Sequence, residues 1–213
     1  CFHRETAHRK YRGHPMTNTA QEALAQLRDE AIALIKATPD LAAFAPLPAN
    51  LKPADLPPVP LAAVDRFISN PGTHIPATAA FTNAALAAAP FGHWRQTYTE
   101  AEVGAHFLAH YGWLELWGPT GHFQCDSARA YVAFWGPGLH YDWHFHQAEE
   151  IYFLATGEAL FKAEGAEDAI IRTGQTRLHA SNQPHATTTS DSSILTLVLW
   201  RGEGLAGNAR MQS

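Results

Sequence analysis

The sequence predicts a mainly β protein, with an antiparallel sandwich or small barrel in its C-terminal half and a helical region ahead of it. Two observations carry this. After Gly121, short runs rich in β-branched and aromatic residues alternate with turn signals, at 128–135, 149–155, 158–163, 168–172, 175–179 and 193–200. Six or more short strands in about ninety residues point to an antiparallel sandwich or barrel. Before Gly121, apolar residues recur instead at the three-and-four spacing of helices. With 213 residues, 46% of them apolar and 16% charged, the chain is long enough for one well-buried domain with a helical extension.

Taken in order, residues 1–15 (CFHRETAHRKYRGHP) are basic and His-rich and precede Met16. They read as a tag or an upstream extension, so His3, His8 and His14 are assigned to no site. Residues 16–120 form the mostly helical region. From Thr17 to Ala37, Leu24, Leu27, Ala31, Leu34 and Ile35 share one helical face and charges take the other. Pro39 discourages continuation. Pro46, Pro48, Pro53, Pro57, Pro58 and Pro60 then make an extended connector. Short helices are expected at about 60–68, 77–89 and 99–112. Residues 121–213 hold the strands, and Thr156-Gly157-Glu158 reads as a hairpin turn between two of them.

Composition narrows the function. A net charge of −5 without a dense basic run argues against nucleic acid. No apolar run approaches the roughly 20 residues of a membrane span. Cys1 and Cys125 give neither a disulfide framework nor a CxxC motif, and the N-terminus lacks the apolar centre of a signal peptide, so a cytoplasmic protein is expected. Cys125 reads as a buried small residue.

The chemistry concentrates in one stretch, Gly138-Leu139-His140-Tyr141-Asp142-Trp143-His144-Phe145-His146-Gln147-Ala148-Glu149-Glu150-Ile151-Tyr152. His144 and His146 fall on one face of a strand, because side chains alternate with period two. Glu150 and Tyr152 repeat that relation on the next strand, whereas Glu149 shares the opposite face with Ile151. If the two strands are neighbours, two imidazoles, a carboxylate and a phenol converge: a metal site with a candidate base. An isolated histidine is more often a polar strand residue than a ligand, but this spacing favours the metal. Donors of this kind without thiolate suit Fe(II), Mn(II), Zn(II), Ni(II) or Co(II), one divalent ion in all.

The pattern Gly138-x5-His144-x-His146-x3-Glu150-x6-Gly157 resembles the first motif of the cupins. His185, in Ser181-Asn182-Gln183-Pro184-His185-Ala186, is the best match to the second, although the usual PxG element is absent. Leu139-His140-Tyr141, then Trp143-His144-x-His146-x-Ala148-Glu149-Glu150-Ile151-Tyr152, behind a mostly helical half, looks more narrowly like the cupin dimethylsulfoniopropionate lyases of marine bacteria. The resemblance implies a metal-binding cupin barrel (a double-stranded β-helix) over 121–213. It implies cleavage of dimethylsulfoniopropionate to acrylate and dimethyl sulfide. By position it implies metal ligands at His144, His146, Glu150 and His185, and functional tyrosines at Tyr141 and Tyr152.

The chemistry of that reaction wants these groups. Removing a proton beside a carboxylate needs a cation on the carboxylate oxygens, which a divalent metal supplies as a Lewis acid. A phenol with a pKa of about 10 needs the same cation to act as a base near neutrality. Tyr152 is placed for this role, or ligates the metal at rest; Tyr141 is the alternative base or an orienting donor. The sulfonium end calls for aromatic walls, with Trp135, Trp143, Phe145, Phe153 and Trp200 as candidates, of which alternation turns Phe145 and Phe153 away. Trp143, His140 and Trp135 are the expected pocket residues. His140 and His179 fit no ligand position and read as histidines behind the ligands or on the surface. Cupins also host dioxygenases and non-catalytic small-molecule binders, so both stay open as alternatives, with oxygen dependence and product formation as discriminators. The partner expected is a small molecule, and open sheet edges admit a homodimer.

Overall fold

The computed structural model describes residues 18–212, so the expectation for residues 1–15 lies outside the described residues. The first helix, α1 (Asn18–Ala37), buries the face expected of it: Leu24, Leu27, Ala31, Leu34 and Ile35. Thr38 is extended, and Pro39 opens a second helix, α2 (Pro39–Phe44), because its fixed φ suits a first helical position. The connector includes a two-residue strand, β1 (Lys52–Pro53), and is followed by α3 (Ala62–Ser69) and α4 (Pro76–Ala88). After a single 3₁₀ turn come β2 (Trp94–Arg95) and α5 (Glu100–His110). Glu102 accepts hydrogen bonds from the Thr99 backbone N–H and hydroxyl, both at 2.7 Å, and so caps α5.

The helical reading does not extend through residue 120. Tyr111–Gly118 is a strand, β3, buried along its whole length. Burial on both faces removes the alternation that would have announced it. The remaining strands are β4 (Phe123–Gln124), β5 (Arg129–Trp135), β6 (His140–Phe145), β7 (Glu149–Thr156), β8 (Glu158–Ala163), β9 (Ala169–Arg172), β10 (Thr176–His179), β11 (His185–Thr189), β12 (Ile194–Arg201) and β13 (Arg210–Met211).

They form two sheets. The larger runs β1-β4-β3-β5-β12-β7-β10, with β2 beside β3, and the smaller runs β13-β6-β11-β8-β9. Apart from the short β3–β4 pair, the ladders are antiparallel. The sheets face each other across a shared interior in which Tyr152 and Trp135 of one meet Phe161 and Tyr141 of the other. The outer face of the large sheet is covered by α1, α3 and α4, whose leucines and phenylalanines join Leu114, Phe134, Phe153 and Leu197 in a second core.

Two expectations about connections change. Thr156-Gly157-Glu158 is a corner rather than a hairpin: β7 pairs with β12 and β10, whereas β8 pairs with β11 and β9. Gly157 makes the corner at φ 67°, where a Cβ would collide with the Ser193 carbonyl. Likewise β6 and β7 are not neighbours. They lie in opposite sheets, and β6 pairs with β11 and β13. The motif therefore converges across the barrel interior and not along a ladder.

Candidate metal centre

Three of the residues expected to bind metal are brought together. One donor atom from each of His146, Glu150 and His185 lies within 4.8 Å of the other two, and all three residues are buried. His146 Nε2 stands 3.2 Å and His185 Nε2 3.3 Å from Glu150 Oε2. Donors about 2.1 Å from one transition-metal ion stand roughly 3.0–3.4 Å apart at neighbouring positions and about 4.2 Å apart across it, so this spacing suits a shared ion.

The backbone fixes which nitrogen faces the centre. His146 Nδ1 bonds the Ala148 carbonyl at 2.9 Å, His185 Nδ1 the Gln183 carbonyl at 2.8 Å, and His144 Nδ1 the Asp142 carbonyl at 2.8 Å. A carbonyl only accepts, so each Nδ1 carries the hydrogen and each Nε2 of a neutral ring presents a lone pair. Among the described residues, the Nε2 atoms of His146 and His185 meet no hydrogen-bond partner apart from Glu150 although both are buried. Lone pairs converging on a carboxylate ask for a positive charge between them. Burial disfavours charging His146, yet Glu150 overcomes it and raises the imidazole above its usual value. Glu150 is drawn well below the usual carboxylate range by His146, His179 and His185, against full burial.

Both ladder neighbours of Glu150 hold it in place. On β12, Trp200 is its register partner, and the indole N–H donates to Oε1 at 2.7 Å while the ring stacks on His146. On β10, His179 is its register partner, and Nδ1–H donates to Oε2 at 3.2 Å. His179 falls outside the set of donors that fit one ion; it bonds Glu150 and its ring stacks on that of His185 at 4.0 Å. Burial lowers its pKa to about 4, so its ring stays neutral.

His144 lies against this set without joining it. Its ring centroid is 4.1 Å from that of His185, and the ring of Tyr141 stacks flat on it at 3.7 Å and 8°. Tyr141 and His144 face the same interior although three positions apart, because the β6–β11 register shifts there: His185 pairs with His144 and Thr187 with Tyr141.

His144, His146, Glu150 and Trp200 line an interior cavity of about 50 Å³ that opens to solvent. Tyr141 and Tyr152 both face it, as does Trp135. The walls sequence reading left out are Tyr111, Trp113 and Tyr131, together with Asn208 and Ala209 from the C-terminal segment. Arg129 ties that segment down by donating to the Leu205 and Gly207 carbonyls at 2.7 Å each, and its own charge is balanced by Glu115 at 2.9 Å. Tyr152 is held well above its ordinary pKa by burial and by the Glu150 charge. His140 and Trp143 are placed away from the cavity. His140 is exposed on the outer side of β6, bonded to Thr188, and the Trp143 carbonyl holds the Gln212 N–H. Phe153 belongs to the outer core, as alternation requires, and Cys125 is half-buried.

The family model for dimethylsulfoniopropionate lyases matches residues 44–196. The chain is 39% identical over 188 residues to the dimethylsulfoniopropionate lyase DddQ of Ruegeria pomeroyi, covering 88% of this chain and 93% of that protein. The chain belongs to the dimethylsulfoniopropionate lyase family. Among solved structures, those of the lyases RdDddP and RnDddQII include a chain that superposes with a TM-score of 0.89 at 45% identity, covering 91% of this chain and all of that one. The DddQ structure from Ruegeria pomeroyi superposes with a TM-score of 0.86 at 38% identity, covering 90% and 96%. Membership makes this chain an enzyme of the lyase class with a cupin barrel. Among the described residues, no helix is long and apolar enough to cross a membrane.

His179, read as a histidine behind the ligands or on the surface, stands behind Glu150; which ligand it would meet depends on register, which spacing alone does not give. Trp113 and Tyr131 sit on inward positions of β3 and β5, and the alternation Tyr131-Ala133-Trp135 was the available signal.

Proposed function

We propose that this chain cleaves dimethylsulfoniopropionate to acrylate and dimethyl sulfide, with one divalent transition metal held by His146, Glu150 and His185 and with His144 beside them. The observation that carries the reading is the pair of buried Nε2 lone pairs aimed at the Glu150 carboxylate. Their tautomers are fixed from behind by backbone carbonyls. Such a set is adapted to a cation, and Fe(II), Mn(II), Zn(II), Ni(II) and Co(II) all accept it.

When bound, the ion supplies positive charge for the substrate carboxylate and for a nearby phenolate. Tyr152 is then the base that takes the proton from the carbon next to the carboxylate. The electron pair left behind forms the new carbon–carbon double bond as the carbon–sulfur bond breaks. Dimethyl sulfide leaves uncharged with the bonding pair, so its departure calls for no acid. The Tyr152 hydroxyl cannot be the base without nearby positive charge, because burial and Glu150 both hold its proton on. Tyr141, on the facing sheet, is the donor that orients the substrate. Tyr131, Trp113 and Trp200 give the sulfonium end electron-rich walls.

The test is headspace dimethyl sulfide from metal-reconstituted protein given dimethylsulfoniopropionate without oxygen, beside an EDTA-treated control. Metal-dependent anaerobic release is the expected result. No release with any of the five metals overturns the proposal.

A further inference from the structure

We infer that Tyr98 is a positioning residue for this reaction, acting through Tyr141; the inference rests on the lyase reading above. Tyr98 lies ahead of α5, in the N-terminal half, and is buried. It does not line the cavity, whereas Tyr141 does. The two phenol oxygens are 2.8 Å apart. The Tyr98 ring is pinned edge-on by Phe107, at 6.2 Å and 78°, and by Tyr141, at 5.8 Å and 69°. Its oxygen is therefore fixed by packing before any substrate arrives.

Only one of two phenol protons can lie between two phenol oxygens. Among the described residues the Tyr98 hydroxyl meets the Tyr141 hydroxyl, and we take Tyr98 as the donor of that bond. The Tyr141 proton is thereby turned away from Tyr98 and toward the cavity, where a substrate oxygen would accept it. Burial raises the Tyr98 pKa, which keeps this donor intact across the working pH range. The Tyr141 ring cannot swing to find another arrangement without leaving its flat stack on His144. So a residue of the N-terminal half sets the hydroxyl of a cavity tyrosine from behind, and the pairing cuts the number of ways that hydroxyl can point.

The experiment compares Tyr98→Phe, Tyr141→Phe and the double variant, each as full-length, metal-loaded protein, with metal content and melting temperature measured alongside. Tyr98→Phe removes one oxygen and keeps the ring. It should keep wild-type metal content and a KM within about twofold while kcat falls about three- to tenfold, the range of one net hydrogen bond. The double variant should be no slower than Tyr141→Phe alone. Unchanged kcat in Tyr98→Phe, even with a lower melting temperature, overturns the inference and leaves Tyr98 a packing residue. Losses that multiply in the double variant overturn it too, since Tyr98 would then act by another route. If the wild type releases no dimethyl sulfide, the lyase reading falls and this inference with it; an active wild type beside an unaffected Tyr98→Phe removes the inference alone.

Discussion

The two faces of the large sheet are made by the same strands yet carry opposite duties. On β7, Ile151 and Phe153 face the helices, while Glu150 and Tyr152 face the cavity. On β12, Leu195, Leu197 and Leu199 face the helices, while Val198 and Trp200 face the cavity. The outer face is apolar and supplies burial; the inner face holds a carboxylate, phenols and an indole that burial alone disfavours. The strand period thus lets an apolar core fix positions for polar groups one residue away. Substitutions on the two faces should therefore separate chemistry from stability.

The largest effect on chemistry is expected at the ligands. His146→Ala should lose metal and activity together, with turnover down by about a thousandfold or more, as for other residues that act as a unit. Elemental analysis and headspace dimethyl sulfide check this. Metal bound to the native state stabilises it, so EDTA should lower the melting temperature of the wild type and leave that of His146→Ala unmoved. Metal at normal occupancy in the variant would break the ligand assignment. Next comes Tyr152→Phe, which should keep its metal and lose turnover by at least about a hundredfold. Full activity would remove Tyr152 as the base.

The outer face should behave in the opposite way. Leu197 is fully buried and pairs in register with Phe153 and Val132. Leu197→Ala should cost about 2–5 kcal/mol of folding stability by denaturant titration. At a temperature where the variant is folded, kcat should stay within about twofold of wild type. A large kcat loss there, with the stability loss small, would mean the two faces are not separable in this way.

The sequence carried as much of this as local spacing can carry. The buried face of α1, six strand runs and the His146–Glu150 pair follow from periods of 3.6 and two. Hidden from that reading was whatever depends on partners distant in the chain. β3 lost its alternation because both its faces are buried, and β11 (HATTT) looks like a loop because its threonines are polar. Of those threonines, Thr189 bonds the Gly136 carbonyl in the interior and Thr188 bonds His140 on the outer side. Topology was hidden as well. The convergence of His146 with Glu150 was legible, but its route across two facing sheets was not, since a corner at Gly157 and a hairpin there use the same residues.

The smallest of these effects also sharpens the comparison most, because it concerns a residue on the inner face that touches no substrate. His179 reaches the centre by donating Nδ1–H to Glu150 Oε2, the oxygen nearest His146 and His185, and by stacking on the His185 ring at 4.0 Å. Holding a ligand's orientation from behind typically contributes 10- to 100-fold in metal affinity. His179→Gln keeps a donor near that place and should lose less affinity than His179→Leu, which leaves the carboxylate one bond short. Competition with a chelator of known affinity measures both. If the leucine variant binds as tightly as wild type, Trp200 alone orients Glu150. If it binds no metal at all while remaining folded, His179 belongs among the ligands with His146, Glu150 and His185.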